Sequence, residues 1–231
     1  MEQQIIDSDL LNETRAAELR DNSARVKLAL IACYVYFGML LVSIISSAME
    51  YSLLSGLDLF SGNFSMDELN ANDTRVQILA ILQTLFQIGL TIIFIFWFRR
   101  AYYNLHLLKV NKKFTDGWAS GAWFVPFVNF GRPYVIMREL WENYQNKTNP
   151  SVPMETGVGL LGWWWAFWLL GNILTNVSTR IRLKAESIDA FKASDSISIP
   201  GDIAHLIALA LLVVIIKRIS AWEQSLRAPA F

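Results

Sequence analysis

Apolar and polar positions alternate along this chain on the scale of whole segments rather than single residues. Four stretches of about 20 mostly apolar residues lie at 28–49, 76–98, 157–177 and 200–218. At about 1.5 Å of rise per residue, each predicts a helix able to cross a hydrocarbon layer about 30 Å thick. A fifth apolar stretch, 117–133, differs in kind. Its aromatic residues are interrupted by Gly121, Pro126, Asn129 and Gly131, and it ends on Arg132 and Pro133. A backbone broken this often leaves polar groups that need partners in lipid, so the pattern predicts a re-entrant or interfacial element rather than a span. Beyond it, Met137, Leu140, Trp141 and Tyr144 recur at helical spacing, with Arg138, Glu139 and Glu142 elsewhere. This predicts an interfacial amphipathic helix over 133–146, opened by Pro133 and broken at 149–153. The fold class expected is all-α: an integral membrane four-helix bundle with an aromatic loop and an amphipathic helix on its cytoplasmic face.

The membrane domain is expected over 28–219, between a juxtamembrane tail at 1–27 and a C-terminal tail at 220–231. Residues 5–25 combine helix formers, charges of both signs and a possible cap at Ser8, and so predict a short amphipathic helix beside the membrane. Span one carries the small residues Gly38, Ser43, Ser46 and Ser47, and span two a polar stripe of Gln83, Thr84, Gln87 and Thr91. A polar loop is expected up to residue 199. Asp202, after Pro200 and Gly201, is expected to cap span four, which leaves no carboxylate inside a span core.

Composition sharpens this picture. The chain is 54% hydrophobic and 17% charged, with nine Trp and a mean hydropathy of +0.34, as integral membrane proteins are. A formal net charge of zero gives no reason to expect nucleic acid as a partner. The single Cys33 excludes an intrachain disulfide or a Cys-based metal site. The mixed-charge N-terminus does not read as a cleavable signal peptide, so span one must act as the insertion signal. Lys and Arg number four in the N-terminal tail, one in the first loop, eight in the second, four in the third and three at the C-terminal end. Fifteen basic residues therefore share one side and five the other, and the positive-inside rule places both termini in the cytoplasm.

Candidate chemistry is sparse. His106 and His205 are expected on opposite sides of the membrane, neither with a second ligand at metal-binding spacing, so no metal and no cofactor are expected. No Gly-rich phosphate loop, nucleophile elbow or H-E-x-x-H motif occurs. Trp163, Trp164, Trp165 and Trp168 read as an interfacial aromatic belt. The glycosylation sequons at Asn63 and Asn72 read as chance matches.

Several motifs nonetheless stand at defined spacing. They are Trp97-x-x-Arg100-x-x-x-Asn104-Leu105, Gly117-Trp118, and Trp123-Phe124-x-Pro126-x-x-Asn129-x-x-Arg132-Pro133. Met137-x-Glu139-x-Trp141, the run 162–178 with its Trp triplet, and the ending Lys217-Arg218-Ile219-x-x-x-x-Gln224 complete the set. Together they resemble the bacterial membrane family catalogued as domain of unknown function 4328, over roughly residues 76–227. The resemblance implies a four-span bacterial inner-membrane protein with the aromatic loop between spans two and three. It implies no enzyme activity.

Two constellations are candidate sites. On the expected cytoplasmic face, Arg100, Asn104, Asn129, Arg132 and Glu139 stand beside Trp118, Trp123 and Trp141. Arg at a membrane surface suits an anionic lipid headgroup. The same residues could equally serve structure, with Arg100 or Arg132 paired to Glu139 and the two Asn capping broken backbone. In the expected outer half, Ser43, Ser46, Gln83, Asn172 and His205 could line a polar cavity or a proton path, or simply hydrogen-bond between helices. The functional expectation is a non-enzymatic module that binds membrane lipid or a protein partner, with self-association open. The alternative is a small transporter or channel component using the outer cluster.

Overall fold

In the computed structural model, residues 19–57, 65–153 and 156–227 are described. Most of the amphipathic helix expected over 5–25 lies outside them, as does Asn63. The elements are α1 (Ser23–Gly56), α2 (Met66–Leu107), the short α3 (Asp116–Gly121), a 3-10 turn (Val128–Phe130), α4 (Arg132–Thr148), α5 (Val158–Leu183) and α6 (Ile188–Ser225). Among the described residues there is no strand. Four helices, α1, α2, α5 and α6, are long and apolar enough to cross a membrane, as a membrane protein with four spans requires.

Local chemistry sets the helix ends. Ser65 accepts the Glu68 N–H at 3.4 Å ahead of α2, whose first turn carries Asp67 and Glu68 where the helix dipole favours negative charge. Ser187 accepts the Ala190 N–H at 3.3 Å ahead of α6, with Asp189 in its first turn. Pro133 occupies the first turn of α4, where its missing N–H costs no helical bond.

The polar loop expected up to residue 199 is replaced by helix. α5 runs to Leu183, and after a short turn α6 starts at Ile188, carrying Pro200 inside it. Asp202 therefore lies well within a helix and caps nothing, and buried carboxylates do occur in the long helices. The polar residues of 188–199 are helical because they find partners. Ser194 meets Ser178 at 3.0 Å, Asp195 meets Arg182 at 3.3 Å, and Ser198 reaches Ser47 at 3.4 Å. Next to Pro200, Gly201 lets α6 approach α5: a Cβ there would lie 3.2 Å from the Leu174 Cβ. Pro and Gly are tolerated in such helices when neighbouring groups restore the packing.

The stretch 117–133 holds only α3 and the 3-10 turn, so no continuous helix crosses there. α4 matches the expected amphipathic helix and buries Ile136, Met137, Leu140, Trp141 and Tyr144. Glu139 and Gln145 are buried on the same helix, which the spacing argument did not anticipate.

The chain divides into two compact units. One comprises the described parts of Met1–Ile31, Thr91–Trp163 and Leu211–Phe231; we call it the aromatic unit. The other, Ala32–Leu90 with Trp164–Ala210, we call the serine-lined unit.

Candidate functional site

The aromatic unit is built on rings. Phe94 stacks on Phe98 at 5.5 Å and meets the edge of Trp123 at 5.2 Å, while Trp141 meets Trp222 edge-on at 4.8 Å. The Trp141 Nε1–H donates to the Thr156 carbonyl at 3.1 Å. Gly157 makes that contact possible. Its φ is +82°, and a Cβ would lie 2.9 Å from Trp141 Cζ2, so both backbone and space require glycine.

Within this apolar setting lies a polar centre that the sequence did not reveal. Glu223 is buried and accepts three hydrogen bonds, all from neutral side chains. Asn104 donates to Oε1, Tyr144 to Oε1 at 3.3 Å, and Asn22 to Oε2 at 3.3 Å. Asn104 also clamps the tail: its Oδ1 accepts the Arg20 N–H at 3.2 Å, and its Nδ2 donates to the Arg20 carbonyl at 2.9 Å. Tyr144 shares its single hydroxyl proton between Glu223 and the Ala101 carbonyl, the latter at 3.1 Å. Burial pushes the Tyr144 hydroxyl pKa well above its usual value, and the nearby Glu223 charge adds to this. In hindsight the signal was periodic. Leu212, Ile215, Ile216 and Ile219 are buried on α6, and the same stripe continues through Ser220 and Glu223.

Glu139 is likewise structural and pairs with neither Arg100 nor Arg132. It accepts from the Tyr102 hydroxyl at 2.7 Å and the Lys113 N–H at 2.6 Å, which ties the chain after α2 to α4. Asn104 caps no broken backbone. Asn129 leaves its buried Oδ1 without a partner among the described residues. Arg100 is half-buried and feels the repulsion of Arg25 and Arg20.

Arg132 stands apart. Its guanidinium lies over Trp118, 4.1 Å from the ring centroid, and 5.4 Å from that of Phe114, and it forms no ion pair among the described residues. Just before it, Phe124, Phe127 and Phe130 are 69%, 87% and 57% exposed. Phe127 has φ 63° and ψ −36°, a left-handed conformation that is costly for a bulky side chain.

In the serine-lined unit, the expected outer cluster is only partly assembled. Ser43 donates to Gln83 at 3.0 Å, Gln83 donates to Asp202 at 3.0 Å, and Ser46 accepts from Arg75 at 3.1 Å. Ser43, Ser46 and Gln83 line a common cavity of about 280 Å³. Asn172 and His205 are not among its lining residues. Asn172 bonds back along α5 to the Trp168 carbonyl at 2.7 Å. His205 is buried with neither ring nitrogen partnered among the described residues, packed so closely on Gly171 that a Cβ there would lie 2.5 Å from its ring.

Sequence reasoning missed the charges of this unit. Arg182 donates to both oxygens of Glu50, at 2.6 and 2.9 Å, and to Asp195 at 3.3 Å. Asn72 joins Glu50 to Arg75, at 3.3 and 2.6 Å. Asn72 is thus a buried helical residue rather than a glycan acceptor. Glu50 lies 22 residues from Asn72 and 132 from Arg182 along the chain, separations that no local motif reports. Among the described residues, no group of three or more His, Cys, Asp or Glu could hold a metal ion.

A family model described as "Domain of unknown function (DUF4328)" matches residues 61–221. No curated protein and no solved structure matches the chain.

Proposed function

This chain belongs to the DUF4328 family, and from that premise we propose that it is a non-enzymatic multi-pass protein of the bacterial inner membrane that binds anionic lipid through its aromatic unit. The observation that carries this reading is Arg132, placed over the Trp118 ring with no carboxylate partner among the described residues, beside a loop that exposes three Phe side chains. Exposing a Phe to water costs about 1.5–3 kcal/mol relative to burial, so such a loop belongs in the apolar border of a bilayer. There Arg132 stands at headgroup depth with a planar fork suited to phosphate. The Arg20, Arg25 and Arg100 cluster adds positive potential in the same unit. A groove of about 370 Å³ lined by Ala24, Arg25, Leu28, Ile93 and Phe96 suits an acyl chain below a headgroup. The described parts of both tails and the aromatic loop share this unit, which supports the cytoplasmic placement that the basic residues favour.

The test is mass spectrometry of the protein released from nanodiscs of mixed lipid. Arg132→Ala is expected to lower retention of anionic lipid at least about tenfold, the cost of one charge-assisted contact. Equal retention by the variant and the wild type refutes the reading.

A further inference from the structure

The serine-lined unit contains a polar cavity with features of a binding site. Its volume is about 280 Å³, and Asp195 and Asp202 are among its lining residues with Ser43, Gln83 and Ser198. Both Asp side chains are buried, and Asp195 is 1% exposed. The charges around the cavity do not balance. Glu50, Asp195 and Asp202 supply three carboxylates, whereas Arg75 and Arg182 supply two guanidiniums. Arg182 is shared between Glu50 and Asp195 Oδ1, and Asp195 Oδ2 meets no donor among the described residues. A buried carboxylate oxygen without a partner is costly, and so is an uncompensated buried charge. Both costs fall if a ligand brings one positive charge together with N–H donors.

The apolar part of the lining decides the ligand class. Val76, Leu79, Ala80 and Leu183 line the cavity with apolar surface, which suits carbon and not a hydration shell. A space of about 280 Å³ is also far larger than a bare ion needs; by liquid volume it would hold about nine waters. We propose that this cavity binds a primary ammonium group on a short hydrocarbon body, with Asp195 accepting the ammonium hydrogens and Val76 and Leu79 covering the carbon. The group can arrive on a free amine or on a lipid headgroup.

The experiment measures thermal unfolding of the full chain in phosphatidylglycerol nanodiscs, titrated with n-butylammonium chloride against NaCl at matched ionic strength. The wild type is expected to show a saturable rise in Tm with n-butylammonium. Asp195→Asn is expected to weaken the apparent affinity at least about tenfold, as loss of one charge-assisted bond does. Val76→Phe narrows the cavity, leaves every charge in place and is expected to weaken binding similarly, so the proposal does not depend on how well the Asp variant folds. Repeating the titration in phosphatidylethanolamine nanodiscs identifies the source: a Tm already raised and insensitive to n-butylammonium assigns the site to the lipid headgroup. A wild type without a saturable shift in either lipid overturns the proposal. So do folded Asp195→Asn and Val76→Phe variants that bind like wild type, and so does NaCl acting as strongly as n-butylammonium.

Discussion

Glu223 in the aromatic unit and Asp195 in the serine-lined unit are both carboxylates buried on α6, yet they are satisfied in opposite ways. Glu223 is surrounded by neutral donors from three other parts of the chain, Asn22, Asn104 and Tyr144. Both of its oxygens are used, and the tail is held in place as a result. Asp195 shares one guanidinium with Glu50, keeps an oxygen without a donor and faces a cavity. The first arrangement closes a structure, whereas the second leaves room and charge for something else. Buried polarity alone therefore does not mark a functional site; incomplete satisfaction beside open space is the better guide.

Breaking the charged arrangement should have the largest effect. Arg182→Leu strands Glu50 and Asp195 with no shared cation and is expected to cost about 3–5 kcal/mol of stability, as loss of one partner from a buried ion pair does. Unfolding in a detergent titration measures it, and a loss too small to resolve would remove the contrast between the units. Asn104→Ala opens the neutral centre, freeing the Arg20 backbone and one bond to Glu223. Its expected cost is about 2–3 kcal/mol, with faster proteolysis of the tail as the accompanying sign. Glu223→Gln keeps the shape, removes the charge and turns one acceptor oxygen into an amide donor, which Asn22 can meet by turning toward it its Oδ1, unpartnered among the described residues. Because the partners are neutral amide and hydroxyl groups, its cost is expected to stay below about 1 kcal/mol, since no cation is left unpaired. A loss as large as that of Arg182→Leu would mean that the Glu223 charge is paired after all.

The smallest effect belongs to Asp21, an exposed carboxylate at the edge of the aromatic unit. Hydrogen bonds from the Ser23 hydroxyl and N–H, with Arg227 beside it, lower its pKa from 3.8 to about 2. A lowered folded-state value means that the stabilisation is fully present above pH 3.8 and is lost as pH falls toward about 2. The Tm difference between wild type and Asp21→Asn should thus be small, constant above that window and shrinking within it. A difference that varies near neutrality would contradict the assignment.

Much of the helical architecture could be read from the sequence because apolar run length and 3.6-residue spacing are local properties. The four long apolar helices, the α4 amphipathic helix and the broken character of 117–133 all follow from such patterns. The same logic failed at 188–199, where Ser and Asp ahead of Pro200 suggest a loop. Their helix depends on Ser178, Arg182 and Ser47, which are distant in sequence. The candidate sites divide along this line. Arg132 and Trp118 lie close enough in sequence to be grouped by motif, and they do meet. Ser43, Ser46 and Gln83 share a cavity as depth along the spans suggested, whereas Asn172 and His205 do not line it.

The sequence by itself determined the class of the molecule, its long apolar helices and the place where aromatic residues interrupt them, since hydropathy and periodicity act over a few turns. Only the tertiary structure decided which polar residues are satisfied. Glu223 and Asp195 lie on one helix, both buried. Partners 79 to 201 residues away complete the first, whereas Arg182, 13 residues away and shared with Glu50, only partly compensates the second.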